Sequence, residues 1–189
     1  MASAFAHAAL GATFGKILLP SCRHWRYWLA AAGCAALPDV DALGYKLGVP
    51  YESLWGHRGL THSLLAAAVV AGIGLMVRQL SDAGQRPPAG RVALLLFSAT
   101  ASHGVLDALT TGGLGVAFFS PWDLERYFFS FRPIRVSPLG IKAFFSSRGL
   151  RVLASEFWWV GLPCAAALGL RFGFKKAIPT QYNRDAPTI

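Results

Sequence analysis

The sequence predicts an all-α fold, a polytopic membrane helix bundle with four or five transmembrane segments. Three observations predict it. Only 14% of the residues are charged and 54% are hydrophobic, whereas soluble domains carry ~25% charge. Mean hydropathy is +0.43, with 13 Phe and 6 Trp in 189 residues. The apolar residues also gather into five continuous runs instead of alternating with polar ones.

The first run extends from about Ala4 to Leu19. No Lys or Arg precedes it, so it reads as a retained helix and not as a cleaved signal peptide. The second, about Trp25 to Leu37, is short and reads as a tilted or partial span. The third is Leu64 to Val77, the fourth Val92 to Leu109 and the fifth Phe157 to about Phe172. A full span takes ~20 residues, with a range of about 17–25, which the first and fourth approach. Pro20–His24 is a short polar turn, and Pro38–Gly59 is a longer loop. Arg78–Arg91, with Gly84, Pro87, Pro88 and Gly90, is a linker. Thr110–Glu156 mixes Phe118, Trp122, Tyr127 and Phe131 with Arg126, Arg132 and Arg135, a composition suited to the membrane interface. Residues 1–174 thus form one membrane-embedded helical domain with a long interfacial loop at 110–156, and 175–189 form a polar C-terminal tail. Cys22, Cys34 and Cys164 form no C-x-x-C pair and read as small buried hydrophobes.

A net charge of +9 raises the question of nucleic acid. The basic residues are spread through every polar loop, and flanks of membrane spans and anionic head groups account for them more simply. Nucleic acid is therefore not the expected partner. With alternating spans, the N-terminus and the loops 38–59 and 110–156 share one side. The opposite side holds ten of the 18 Lys and Arg, in short loops and the tail. The positive-inside rule makes that opposite side cytoplasmic and the first one periplasmic.

The polar residues then fall into a pattern. His7 opens the first segment, Asp39 and Asp41 close the second, His57 and His62 lead into the third, and His103 and Asp107 end the fourth. Four helix ends deliver His or Asp to one depth on the periplasmic side, and only His24 falls on the other. Ionisable groups near the apolar layer are costly and tend to mark function. Taken singly, each has a bland reading as a helix cap or a water-facing group. His103 and Asp107, four apart in HGVLD, share one helix face and can offer two ligands to one ion. His57 and His62 are five apart, so they cannot share a face. His57 falls in the loop and His62 at the helix start, with Thr61 or Ser63 as cap. Asp39 and Asp41, in PDVD, can both turn inward from a loop. Imidazole with carboxylate suits a divalent transition metal such as zinc, with Mn or Fe as alternatives. Seven candidate ligands exceed one tetrahedral ion, so a two-ion site is the expectation. Arg58 could hold a phosphate or pair with Asp39 or Asp41. Glu156, opening the fifth segment, could serve as a general base or as a plain interfacial carboxylate.

His7, PDVD at 38–41, HRGLTHS at 57–63, HGVLDALTTGG at 103–113 and PWDLERYFFSFRPIRVSPLG at 121–140 together resemble the YdjM-like family of inner-membrane, metal-dependent hydrolases. That family is similar in turn, at a distance, to zinc-dependent phospholipase C and P1-type nucleases. The shared feature is the order His, Asp, His, then H-x-x-x-D. The soluble enzymes use further histidines downstream, and this chain has none after His103.

The expected function is therefore hydrolysis. A metal-activated water would cleave a phosphate ester of a membrane lipid or lipid-linked substrate at head-group depth. His7, Asp39, Asp41, His57, His62, His103 and Asp107 are the candidate ligands, and Arg58 and Glu156 the candidate catalytic groups. Arg126, Arg132 and Arg135 are available to anionic oxygens. One alternative is transport or ion handling, which needs polar groups at several depths. The segment interiors offer few, namely Thr13, Ser98, Thr100 and Ser102. The other alternative is a non-catalytic membrane module with a structural metal.

Overall fold

The computed structural model describes residues 1–176 apart from Asp82 and Leu139. The tail expected at 175–189 lies almost wholly outside the described residues. The fold is all-α. Among the described residues there is no strand, only isolated bridges at Thr110–Ile134 and Val116–Tyr127. The helices are α1 (Ala4–Leu18), α2 (Trp25–Ala36), α3 (Leu64–Arg78), α4 (Ala89–Ala108), the single turn α5 (Ile141–Phe144), α6 (Ser147–Glu156) and α7 (Leu162–Lys176).

Serine starts three of them. The side chains of Ser3, Ser63 and Ser146 accept from the amides of Ala6, Ala66 and Arg148, which satisfies donors a helix start leaves free. α4 is the central post, in contact with α1, α2 and α3, and it buries residues along its whole length, from Val92 to Ala108. The core between these helices is built from Leu19, Val92, Leu95 and Leu96 against Ala31, Ala35, Ala71 and Ala99. Small residues let the backbones approach. A Cβ on Gly11 would collide with the Ala31 carbonyl oxygen, and one on Gly15 would sit 2.8 Å from the Trp28 Cα. Close approach through small residues is how helices associate in lipid, where burying apolar surface offers little advantage. Gly11→Val should therefore destabilise the fold by ~1–3 kcal/mol in detergent denaturation. Gly33→Val, with open space at its Cβ, should stay within about 0.5 kcal/mol of the parent. Equal losses at the two positions would contradict this account of the α1–α2 contact.

α6 and α7 join into one rod. Between them, Phe157–Gly161 form a π-turn in which the Leu162 amide reaches the Phe157 carbonyl, five residues back. Pro163 follows; it has no N–H and its ring crowds the preceding turn, and a widened turn relieves that crowding. Ala89–Ala108 and Ser147–Gly173 are each long and apolar enough to cross a membrane, and Ala4–Leu18 and Leu64–Arg78 are shorter apolar helices. Ile73, Met76, Leu80, Phe157 and Trp158 are more than half exposed, as residues facing hydrocarbon would be.

Two boundaries differ from the sequence reading. The start of the 38–59 loop is a 3₁₀-helix, Leu37–Leu47, closed by Gly48 at φ 74°. The fifth apolar segment does not begin its helix at Phe157, because the rod already starts at Ser147. Glu156 thus lies inside a helix and not at its mouth. The polar, Arg-containing first half of the rod hid this start.

Candidate metal centre

Each donor reaches the centre from a different element. His103 and Asp107 stand one turn apart near the C-terminal end of α4, both fully buried. His62 ends a 3₁₀ turn, Leu60–His62, just before the Ser63 cap of α3. Asp39 comes from the 3₁₀-helix after α2. His103 Nε2 lies 3.2 Å from Asp39 Oδ1 and 4.0 Å from Asp107 Oδ2. His62 Nε2 lies 3.9 Å from Asp39 Oδ1 and 3.7 Å from Asp107 Oδ2. The four donor atoms all fall within 4.8 Å of one another. Tetrahedral bonds of about 2.0–2.1 Å place ligand atoms ~3.3 Å apart, so these separations fit one ion with small adjustment.

The hydrogen bonds fix where the lone pairs point. His103 Nδ1 donates to the Ala35 carbonyl at 2.7 Å; a carbonyl only accepts, so Nδ1 carries a proton and Nε2 is the nitrogen available to a metal. His62 Nδ1 donates to Asp41 Oδ2 at 3.1 Å, which turns its Nε2 lone pair inward in the same way. Burial, with His103 beside it, lowers the His62 pKa to about 4. Its imidazole is neutral at physiological pH. Two imidazole Nε2 atoms thus face two carboxylates, and His62 Nε2, His103 Nε2 and both Asp39 oxygens have no hydrogen-bond partner. Buried lone pairs converging without a donor are costly, and a cation among them removes the cost.

Asp41 forms an outer layer. It accepts from His57 Nδ1 at 2.6 Å, from the Arg58 amide at 3.2 Å and from the Thr61 hydroxyl, as well as from His62. Burial alone would raise its carboxyl, but the hydrogen bonds from His57 and His62 outweigh it and hold the pKa well below the usual range. A loop, the conformation expected for PDVD, could turn both carboxylates to one side. A 3₁₀-helix separates residues two apart by about 120° around its axis. Asp39 therefore meets the Nε2 edge of His62 and Asp41 its Nδ1 edge.

The remaining candidates fall as follows. His7 is fully buried and stacks on His103, with ring centroids 3.7 Å apart and Nε2 3.5 Å from Asp107 Oδ1. It borders the four donors without joining them. His57 meets Asp41 and the edges of Tyr51 and His62. Arg58 is fully buried and pairs with Asp107, Nε to Oδ2 at 2.9 Å, and not with Asp39 or Asp41. Its other nitrogens donate to the Gly112 carbonyl and the Thr110 hydroxyl. Its φ of 64° is unusual for a residue with a side chain. Arg126 is not free for anionic oxygens, because it donates to the carbonyls of Tyr51, Ser53 and His57 and clamps that loop. Thr110 and Gly112, which the sequence reading left without a role, lie in the polar TTGG run just past Asp107, and that run was the available signal.

Glu156 stands apart from the donors. Its two oxygens accept from the backbone amide and the hydroxyl of Ser3, tying the start of α1 to the rod. Ser3→Ala removes the cap of α1 and half of this tie. It should cost about 1–2 kcal/mol in a denaturation midpoint while leaving divalent-ion stoichiometry unchanged. A loss of bound ion would place Glu156 in the centre after all.

The family model described as YdjM inner membrane protein matches residues 1–178 of this chain. The chain is also 36% identical over 175 residues to the inner membrane protein YbcI of Escherichia coli (strain K12), covering 90% of this chain and 96% of that protein. No solved structure matches the chain.

Proposed function

The chain belongs to the YdjM inner membrane protein family, and from that premise we propose that it is a multi-pass, metal-dependent hydrolase acting on a phosphate ester of a lipid or lipid-linked molecule. The observation that carries the reading is the inward convergence of His62 Nε2, His103 Nε2 and Asp39, which lack hydrogen-bond partners, on the Asp107 carboxylate. Asp39, His62, His103 and Asp107 would hold a divalent transition metal, with zinc the best match to two imidazoles and two carboxylates. Such an ion supplies Lewis acidity and lowers the pKa of water at the site.

Buried charge supports a resident ion. Asp39, Asp41 and Asp107 are each at least nine-tenths buried, and the cations beside them are Arg58, 2.9 Å from Asp107, and the Met1 ammonium, 4.0 Å from it. Three buried carboxylates around two imidazoles favour a divalent cation. A second ion has Asp41, His57 and His62 as its candidate group. It would have to displace hydrogen bonds Asp41 already accepts. The chain's own residues have distinct tasks in this reading. The Ala35 carbonyl and Asp41 hold the two imidazoles in the ligating tautomer. Arg58 steadies Asp107, and His57 on Asp41 is placed to move a proton at its Nε2. The surplus of Lys and Arg at the opposite membrane face supports a periplasmic site in this reading.

One observation favours a second reading. Four protein donors in a tetrahedral cluster suit a closed structural site, whereas catalytic zinc keeps a position open. The deciding experiment takes detergent-purified protein and its His103→Gln variant. Metal content is measured by mass spectrometry, and hydrolysis is followed on a chromogenic phosphodiester and on phospholipids. About one ion per chain in the parent, lost in the variant together with hydrolysis, supports the hydrolase. Bound ion without hydrolysis of any ester supports the structural metal. A parent that takes up no Zn, Mn or Fe sinks both.

A further inference from the structure

Of the four proposed donors, His62, His103 and Asp107 are shut off from the surface, and only the Asp39 side chain, 10% exposed, reaches it. Asp39 stands in the wall of a cavity of about 580 Å³, lined also by Ala36, Val40, Leu43, Tyr45 and Lys46. The lining is mostly apolar. Leu37, Val40 and Leu43, three apart on the 3₁₀-helix, form a stripe along one edge and are each at least half exposed. Lys46 stands next in that register and is exposed. The Asp39 oxygens themselves are buried and turned toward His62 and His103, so the cavity presents an apolar wall with the Lys46 cation beside it. A second, more polar cavity of about 370 Å³ lies beyond Tyr45, which lines both, and is bordered by Tyr51, His57, Arg58 and Arg148.

We infer that the Asp39 cavity is an acyl-chain subsite: it takes the chain of an anionic phospholipid, with the phosphate between Lys46 and the centre and the head group toward the polar cavity. This rests on the proposed hydrolase reading for its chemistry but makes a separate claim about binding. Charge and apolarity lie in the order a phospholipid needs, and the occupant comes from the bilayer in which the chain resides.

The test is photolabelling of the full protein in phosphatidylcholine vesicles. One probe is phosphatidic acid with a diazirine in one acyl chain, and the other is a diacylglycerol with the same chain. The phosphate-bearing probe should label the segment Ala36–Lys46 several-fold more than the diacylglycerol. Leu43→Trp, which fills the cavity, should abolish the difference. Lys46→Gln, an exposed change that leaves packing intact, should reduce it about fivefold. Equal labelling by the two probes would mean ordinary bilayer contact and overturn the subsite, as would undiminished labelling of both variants. Selective labelling together with a metal-loaded protein that cleaves no ester would leave the subsite standing and remove the hydrolase reading.

Discussion

Arg58→Met lowers stability by about 3–5 kcal/mol in metal-free detergent solution, because it takes from the fully buried Asp107 its nearer cation, leaving only the Met1 ammonium 4.0 Å away. Methionine keeps most of the apolar stem, so lost packing contributes little, and the Gly112 carbonyl and Thr110 hydroxyl lose a donor as well. The double variant Arg58→Met/Asp107→Asn separates these causes. Neutralising the orphaned carboxylate should restore more than half of the loss. Divalent ion should raise the melting temperature of Arg58→Met more than that of the parent, since the ion then takes over the counter-charge that Arg58 supplied. A single-variant loss below about 1 kcal/mol, typical of an exposed pair, would mean that Asp107 is not relying on Arg58.

The second large effect separates ligands from the residues that orient them. Asp41→Asn should weaken divalent-ion affinity by about 10–100-fold, as removal of an outer partner does, and leave the stoichiometry intact. An asparagine can still face His62 Nδ1, but it no longer holds the imidazole as firmly in the ligating tautomer. His62→Gln removes a donor of the proposed site and should exceed that loss. Competition titration with a chromogenic chelator measures both. If Asp41→Asn proved the more damaging change, the two carboxylates of PDVD would have to exchange roles, and the second candidate group around His57 would become the primary one.

Much of this arrangement was legible in the sequence because membrane helices alternate in direction. That single constraint brings His7, Asp39, Asp41, His57, His62, His103 and Asp107 to one end of the bundle, and the structure gathers them there. The i,i+4 spacing of His103 and Asp107 and the Ser63 cap ahead of α3 were readable for the same reason: helical periodicity is local. What escaped was set by tertiary partners. The choice of Asp107 over Asp39 or Asp41 as the partner of Arg58 depends on an unusual backbone angle at Arg58 and on the TTGG run curling back, and neither leaves a periodic trace. The division of labour between Asp39 and Asp41 depends on the three-residue turn of a 3₁₀-helix. A P-D-V-D string fits that turn, a loop or a strand equally well. Glu156 was misplaced because the helix containing it starts in a polar stretch that hydropathy alone ends too late.

The rod from Ser147 to Gly173 has 27 residues, which at 1.5 Å per residue makes it ~40 Å long, against ~30 Å of hydrocarbon. It must tilt or project, and the adjustment depends on the bilayer around it. Through the bond between Glu156 and Ser3, whatever height the rod adopts is passed to α1, and through α1 to His7 beside the donor cluster. Bilayer thickness should then bear on how deeply the donor cluster sits, and thinner and thicker lipids would hold the same side chains at different distances from the water.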